Sequence, residues 1–163
     1  MRRSYAVAGL AVAMGTVLWG LPWTSAGADD DHGDDGDHEV IRVISREVDS
    51  ADLDLGERGF SIGDRFVFSD NLFRHGHRVG TDHGECVTTR VQGQAGGFQC
   101  AATAVFRRGQ ITAQGAVTFN QEEAARFTLA VTGGTGRFRD AGGQVVVHET
   151  GIRTTVLTFI LED

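Results

Sequence analysis

The chain has 163 residues, with 15 basic side chains, every one an arginine, against 22 carboxylates, for a formal charge of −7 at pH 7. Setting aside Arg2 and Arg3 with the leader described below takes that charge to −9, and both tryptophans, the only tyrosine, both methionines and the only proline go with the same leader. What is left has no lysine for a Schiff base, no phenolic acid and no Trp or Tyr platform for sugars or bases, and its charge repels nucleic acid and anionic membrane.

The leader is Arg2 and Arg3, an apolar run from Ala6 to Trp23, and the small residues Ala26-Gly27-Ala28. This is the layout of an export signal cut before Asp29, so residues 1–28 are expected to be removed and the protein secreted or otherwise extracytoplasmic. Gly9, Gly15, Gly20 and Pro22 interrupt a run already short for a bilayer, and no integral membrane span is expected. The Arg2-Arg3 pair leaves general and twin-arginine export both open. Residues 29–39, DDDHGDDGDHE, carry seven carboxylates and two histidines with nothing to bury, which predicts a self-repelling disordered tail. A loose metal-scavenging arm through His32 and His38 is the other reading, but no ligand spacing supports it.

Residues 40–163 are of a size for one domain. Glycine and Asn/Asp clusters divide them into alternating segments that predict eight strands: Val40–Val48, Asp64–Phe73, Glu85–Gln92, Phe98–Phe106, Gln110–Phe119, Ala125–Thr132, Gln144–Thr150 and Arg153–Leu161. Connections such as Arg107-Arg108-Gly109 are too short for parallel crossovers, so neighbours are antiparallel. The fold class is therefore all-β, and eight such strands in series predict an up-and-down β-barrel able to hold one small ligand, with a β-sandwich as the alternative.

Cys86 and Cys100 are the only cysteines, and an even count in an exported chain points to a disulfide. A register with Gln92 opposite Phe98 sets Cys86 across from Ala104 and Cys100 across from Arg90, out of bridging reach unless a bulge or another register intervenes. His75-Gly76-His77 with His83 and Glu85 suggests a metal motif, but the spacing to Glu85 is too long, Asp82 would have to substitute for it, and no second half-motif appears. The stretch reads as a glycine-punctuated loop, and no metal is assigned. The run Gly133–Gly136 lacks the GK[ST] and βαβ context of a phosphate cradle, and neither GxSxG nor HExxH occurs.

Three stretches, VFSDNL at 67–72, VGTDHG at 79–84 and GGTGRFRDAGG at 133–143, resemble the signatures of dirigent proteins and allene oxide cyclases, a likeness that runs from Gly63 to the C-terminus. The resemblance implies an eight-stranded antiparallel barrel of calycin type with an apolar interior. It also implies cofactor-free steering of cyclisation or radical coupling of lipophilic, phenolic or polyketide molecules, often in homo-oligomers such as dimers or trimers. It places Asp70 on the motif aspartate that lies at the cavity and does acid–base work. Some members carry a further acid and a basic residue near this turn; here Arg137, Gly142 and Gly143 follow it instead, so no matching acid–arginine pair can be assigned.

Read from the residues, a carboxyl such as Asp70 in an apolar barrel is raised in pKa and exchanges a proton near neutral pH, whereas a strand-end aspartate bonded to backbone amides is the bland reading. Arg90 is a second catalytic candidate, to hold an anionic oxygen, against the plainer reading of an outward strand residue. Phe66, Phe68, Phe106 and Phe119 are expected to shape the cavity. His148 and Glu149 face opposite sides of one strand, so only one of them enters the barrel, and the alternation does not say which. The expected function is a cofactor-free isomerase or cyclase, with a non-catalytic carrier and a filled structural barrel of the cell envelope as alternatives.

Overall fold

A computed structural model describes residues 38–93, 95–120 and 125–162, excepting the side chains of residues 119 and 120. The expected export signal, the acidic segment up to residue 37 and the side chain of Phe119 lie outside the described residues. Eight strands form a closed antiparallel barrel in sequence order: β1 (Glu39–Leu53), β2 (Arg65–Arg74), β3 (His77–Gln92), β4 (Ala95–Phe106), β5 (Gly109–Asn120), β6 (Arg126–Gly134), β7 (Gly142–Gly151) and β8 (Thr154–Glu162). Strand β8 pairs back onto β1, with Val43 opposite Leu157, so no edge of the sheet is left open. No helix among the described residues is long and apolar enough to cross a membrane.

The inward face follows the two-residue alternation. On β1, Ile41, Val43 and Ser45 are buried while Arg42, Ile44 and Arg46 are exposed, and β5 and β8 repeat the pattern with Ile111, Ala113, Leu157, Phe159 and Leu161. One end of the barrel is filled by aromatics. The ring of Phe106 lies 5.7 Å from that of Phe138 and 6.1 Å from that of Phe159.

The GGTGRF turn makes this floor. Its Gly136–Phe138 segment is a single 3₁₀ turn that brings Phe138 under the barrel, 6% exposed. The N–H groups of Thr135 and Arg137 donate to the carbonyls of Gln110 and Arg108, each at 2.9 Å, which clamps the turn onto the β4–β5 connection. The close approach explains two of the glycines: a Cβ on Gly134 would sit 2.2 Å from the Gln110 carbonyl oxygen, and Gly136 combines φ of +61° with the Arg108 oxygen at 2.4 Å. The motif that is most distinctive in the sequence thus closes one end of the barrel.

Three expectations are corrected. Strand β3 starts at His77 rather than Glu85, because Gly80 and Gly84, which read as loop punctuation, are strand positions of close approach. A Cβ on Gly80 would meet the Val105 carbonyl oxygen at 2.1 Å, and one on Gly84 would meet the Phe68 ring at 2.5 Å. Strand β1 takes in Glu39, assigned above to the acidic tail, which pairs with Arg137. Gln92 lies opposite Ala95 rather than Phe98, and a bulge between Thr88 and Arg90 shifts the rest of the pairing, so that Cys86 faces Cys100 at a Cα separation of 4.0 Å and the two are bridged.

Candidate active site

The inward faces of the strands enclose a cavity of about 570 Å³. Its deep end reaches Phe159 and Ile111, and its mouth is framed by the β7–β8 turn, Gly151 to Thr154. The walls are apolar and carry the disulfide, but one side is different. Strand β2 presents Phe66, Phe68 and Asp70 in succession, and β3 presents Asp82 directly across from Asp70.

This juxtaposition depends on a single-residue irregularity. The β2–β3 hairpin turns through His75 and Gly76, whose φ values of 51° and 81° are those of a tight primed turn. Near the turn Phe73 pairs with Arg78. Carried on without interruption, that register would set Asp70 against Thr81 and send Asp82 to the outside. A bulge between Leu72 and Phe73 moves the register by one, pairs Leu72 with Gly80, and turns Asp82 inward beside Asp70.

The two carboxyls are held differently. From β1, the Ser45 hydroxyl donates to Asp70 Oδ2 at 2.6 Å, whereas Asp70 Oδ1 is buried and has no hydrogen-bond partner. Burial pushes the Asp70 carboxyl above the usual range; the Ser45 hydroxyl draws it down, and the negative charge of Glu47, its partner on β1, raises it again. Asp82 is 5% exposed. Its carboxyl is pushed up to about 7, first by burial and then by the charge of Asp70, with the N–H of His83 holding it back in part. Two carboxyls on one face in low dielectric cannot ionise independently: the first proton leaves readily and the second is retained toward neutrality. Near pH 7 the pair therefore offers a base and an acid together.

The aromatic wall is fitted to this pair. The rings of Phe66 and Phe68 stack with centroids 5.9 Å apart, and the Phe68 ring reaches over Gly84, which has no side chain to obstruct it. Gly84→Ala is expected to displace that ring and press on the Ala101 carbonyl oxygen, 2.7 Å from the added carbon, at a cost of about 1–3 kcal/mol. The check is the urea midpoint at constant m-value, and an unchanged midpoint would contradict the packing described.

The other sequence candidates fall as follows. Phe66 and Phe68 line the cavity, whereas Phe106 does not: its ring packs on Phe138 and Phe159 at the floor. Phe119 places its backbone opposite Gly96 on β4, and its side chain lies outside the described residues. Arg90 is a correction. It is exposed on the outer face of β3, opposite Gly97, with its stem across that glycine. The alternation across the adjacent bulge gives the inward position to Thr88, which is buried. Glu149 is the residue of its pair that reaches the cavity, at the mouth. Also at the mouth, Arg153 Nε donates to Glu47 Oε1 at 3.1 Å.

Asp82 and Ser45 were not recognisable as site residues from composition. Ser45 was visible only as the polar member of the inward series Ile41, Val43, Ser45. Asp82 required the bulge, which no local propensity announces.

A family model described as the allene oxide cyclase barrel like domain matches residues 43–161. Among solved structures, the chain is similar to a pyocyanin demethylase at 28% identity, covering 76% of this chain and 99% of that one with a TM-score of 0.69. It is also similar to AbnU, described as an exo-specific intermolecular Diels-Alderase, at 15% identity, covering 78% and 100% with a TM-score of 0.65. A pterocarpan synthase dirigent protein matches at 15% identity, covering 77% and 94%, with a TM-score of 0.61. These last two likenesses are of fold alone. No curated protein matches the chain by sequence. The closed eight-stranded barrel and a family match over almost the whole described domain lead to one assignment: the chain belongs to the allene oxide cyclase barrel-like family.

Proposed function

We propose that this barrel is a proton-transfer catalyst of the isomerase or cyclase type, acting on a flat lipophilic molecule held against Phe66 and Phe68. The observation that carries the reading is the Asp70–Asp82 pair, desolvated and face to face in a cavity whose walls are largely apolar. Asp70 Oδ1, buried without a partner, is the base; Asp82, which keeps its proton toward neutral pH, is the acid that delivers a proton to an oxygen or carbon on which charge develops. The cavity volume lies in the ordinary range for one small-molecule ligand. Likeness to a cycloaddition enzyme and a dirigent protein supports a role in shaping ring closure, and likeness to a demethylase acting on pyocyanin, a flat heteroaromatic compound, supports an aromatic substrate. The signal-like leader and the Cys86–Cys100 bridge support action outside the cytoplasm.

The base is testable without the natural substrate. The ring opening of 5-nitrobenzisoxazole needs only one proton removed from carbon by a desolvated base in an apolar pocket. The protein is expected to catalyse it with saturation, at least about 100-fold faster than acetate at equal concentration, and with a rate that rises through pH 7, because Asp82, once ionised, places a second negative charge beside Asp70 and makes it the stronger base. A rate linear in probe and no faster than acetate would leave only a non-catalytic carrier or a structural role for the barrel.

A further inference from the structure

We infer that the molecule this cavity takes carries a delocalised positive charge, an aromatic organic cation rather than a neutral lipid or an anion. The inference rests on the reading of the cavity as a substrate site and narrows its substrate class.

The charge of the lining is one-sided. Glu47, Asp70, Asp82 and Glu149 reach the cavity from four different strands, and the one basic side chain among the described residues there is Arg153. That guanidinium is committed to Glu47 at 3.1 Å. Even with one proton shared by the facing aspartates, Glu149 and one carboxylate of the pair remain uncompensated. Asp70 Oδ1 is buried with its lone pairs unused, a position that a cation or an N–H⁺ donor would satisfy and that a hydrocarbon would leave orphaned.

An enclosed apolar wall focuses such a field instead of dissipating it, so an anion is repelled and a cation drawn in. The same wall selects the kind of cation. A compact ammonium would give up strong hydration on entering, whereas a ring cation is weakly hydrated and lies on aromatic faces. Phe66 and Phe68 supply such faces one and two steps along the strand from the carboxylate, and no Trp or Tyr competes for the role in the body of the chain.

The test is a pair of fluorescent probes of nearly equal shape, 10-methylacridinium and neutral acridine, titrated into the full chain at pH 8 and low salt. The cation is expected to bind about 10- to 100-fold more tightly, with the difference shrinking as salt is raised. Glu149→Gln, at the exposed mouth where substitution does not threaten folding, is expected to reduce the preference about 2- to 5-fold, and Asp70→Asn to reduce it further. Equal affinities, or tighter binding of acridine, would overturn the charge assignment while leaving the proton-transfer reading in place. Failure of both probes to bind would overturn the assignment as well and, together with an absence of benzisoxazole turnover, would remove the substrate-site reading itself.

Discussion

Asp70→Asn is expected to slow proton abstraction from 5-nitrobenzisoxazole by roughly 10²- to 10⁴-fold, the usual contribution of a positioned general base. The substitution changes one oxygen of the pair to an amide nitrogen and leaves the shape of the cavity unaltered. Ser45 can still donate to the remaining oxygen, so the geometry is kept and the base is lost. A second consequence separates this outcome from mere disruption. The charge of Asp70 is one of the two causes that raise the Asp82 carboxyl, so in the variant Asp82 should titrate below its present value near 7. Residual activity should therefore reach its plateau at lower pH than in the parent protein. A large loss of rate with an unmoved inflection would mean that the two carboxyls do not sense one another. An unchanged rate would mean that Asp70 is not the base. Ser45→Ala is the milder companion, since it withdraws only the hydroxyl that holds Asp70 Oδ2 at 2.6 Å.

The outline of this protein was legible because its folding code is local. Alternation with a period of two, short glycine connections and the absence of helical periodicity specify antiparallel strands, and eight of them in series close into a barrel. The GGTGRF turn was legible for a similar reason: Gly134 and Gly136 answer to carbonyls 2.2–2.5 Å from where a side chain would begin, a demand that leaves a mark on the sequence. The site was less legible because it depends on register. The bulge between Leu72 and Phe73 decides whether Asp82 faces the cavity or the solvent, and the bulge between Thr88 and Arg90 goes with the pairing that brings Cys86 to Cys100. Neither position carries an unusual residue. Arg90 illustrates the same gap: it was a candidate to hold an anionic oxygen inside the barrel, and the bulge beside it left that side chain exposed on the outer face. Phe106 shows another limit, since a buried aromatic packs a floor as readily as it lines a cavity, and which it does depends on Phe138, a residue brought in from 32 positions further along the chain.

The acid member of the pair should declare itself in stability before any substrate is known. Asp82 is buried with a carboxyl raised from 3.8 to about 7, so the folded state keeps a proton that the unfolded chain has already released. Between those two values the folded state binds more protons than the unfolded state, and stability falls as pH rises. Below about pH 4 both states are protonated and the penalty vanishes; above about pH 7 it is fully present. At about 1.4 kcal/mol for each pH unit separating the folded from the unfolded value, the ceiling is about 4 kcal/mol, reduced in practice by relaxation and by water entering through the open mouth. Asp82→Asn removes the titration but brings an amide N–H₂ into a site with few acceptors, apart from the Asp70 carboxylate opposite. The expected net result is a gain of about 2 kcal/mol at pH 8, little change at pH 4, and a flatter dependence between. Urea denaturation at pH 4, 6 and 8 checks it. Parallel curves for the two proteins would mean that Asp82 is ionised at ordinary cost in the folded barrel, and the facing carboxyls would then lose their claim to divide the work of acid and base.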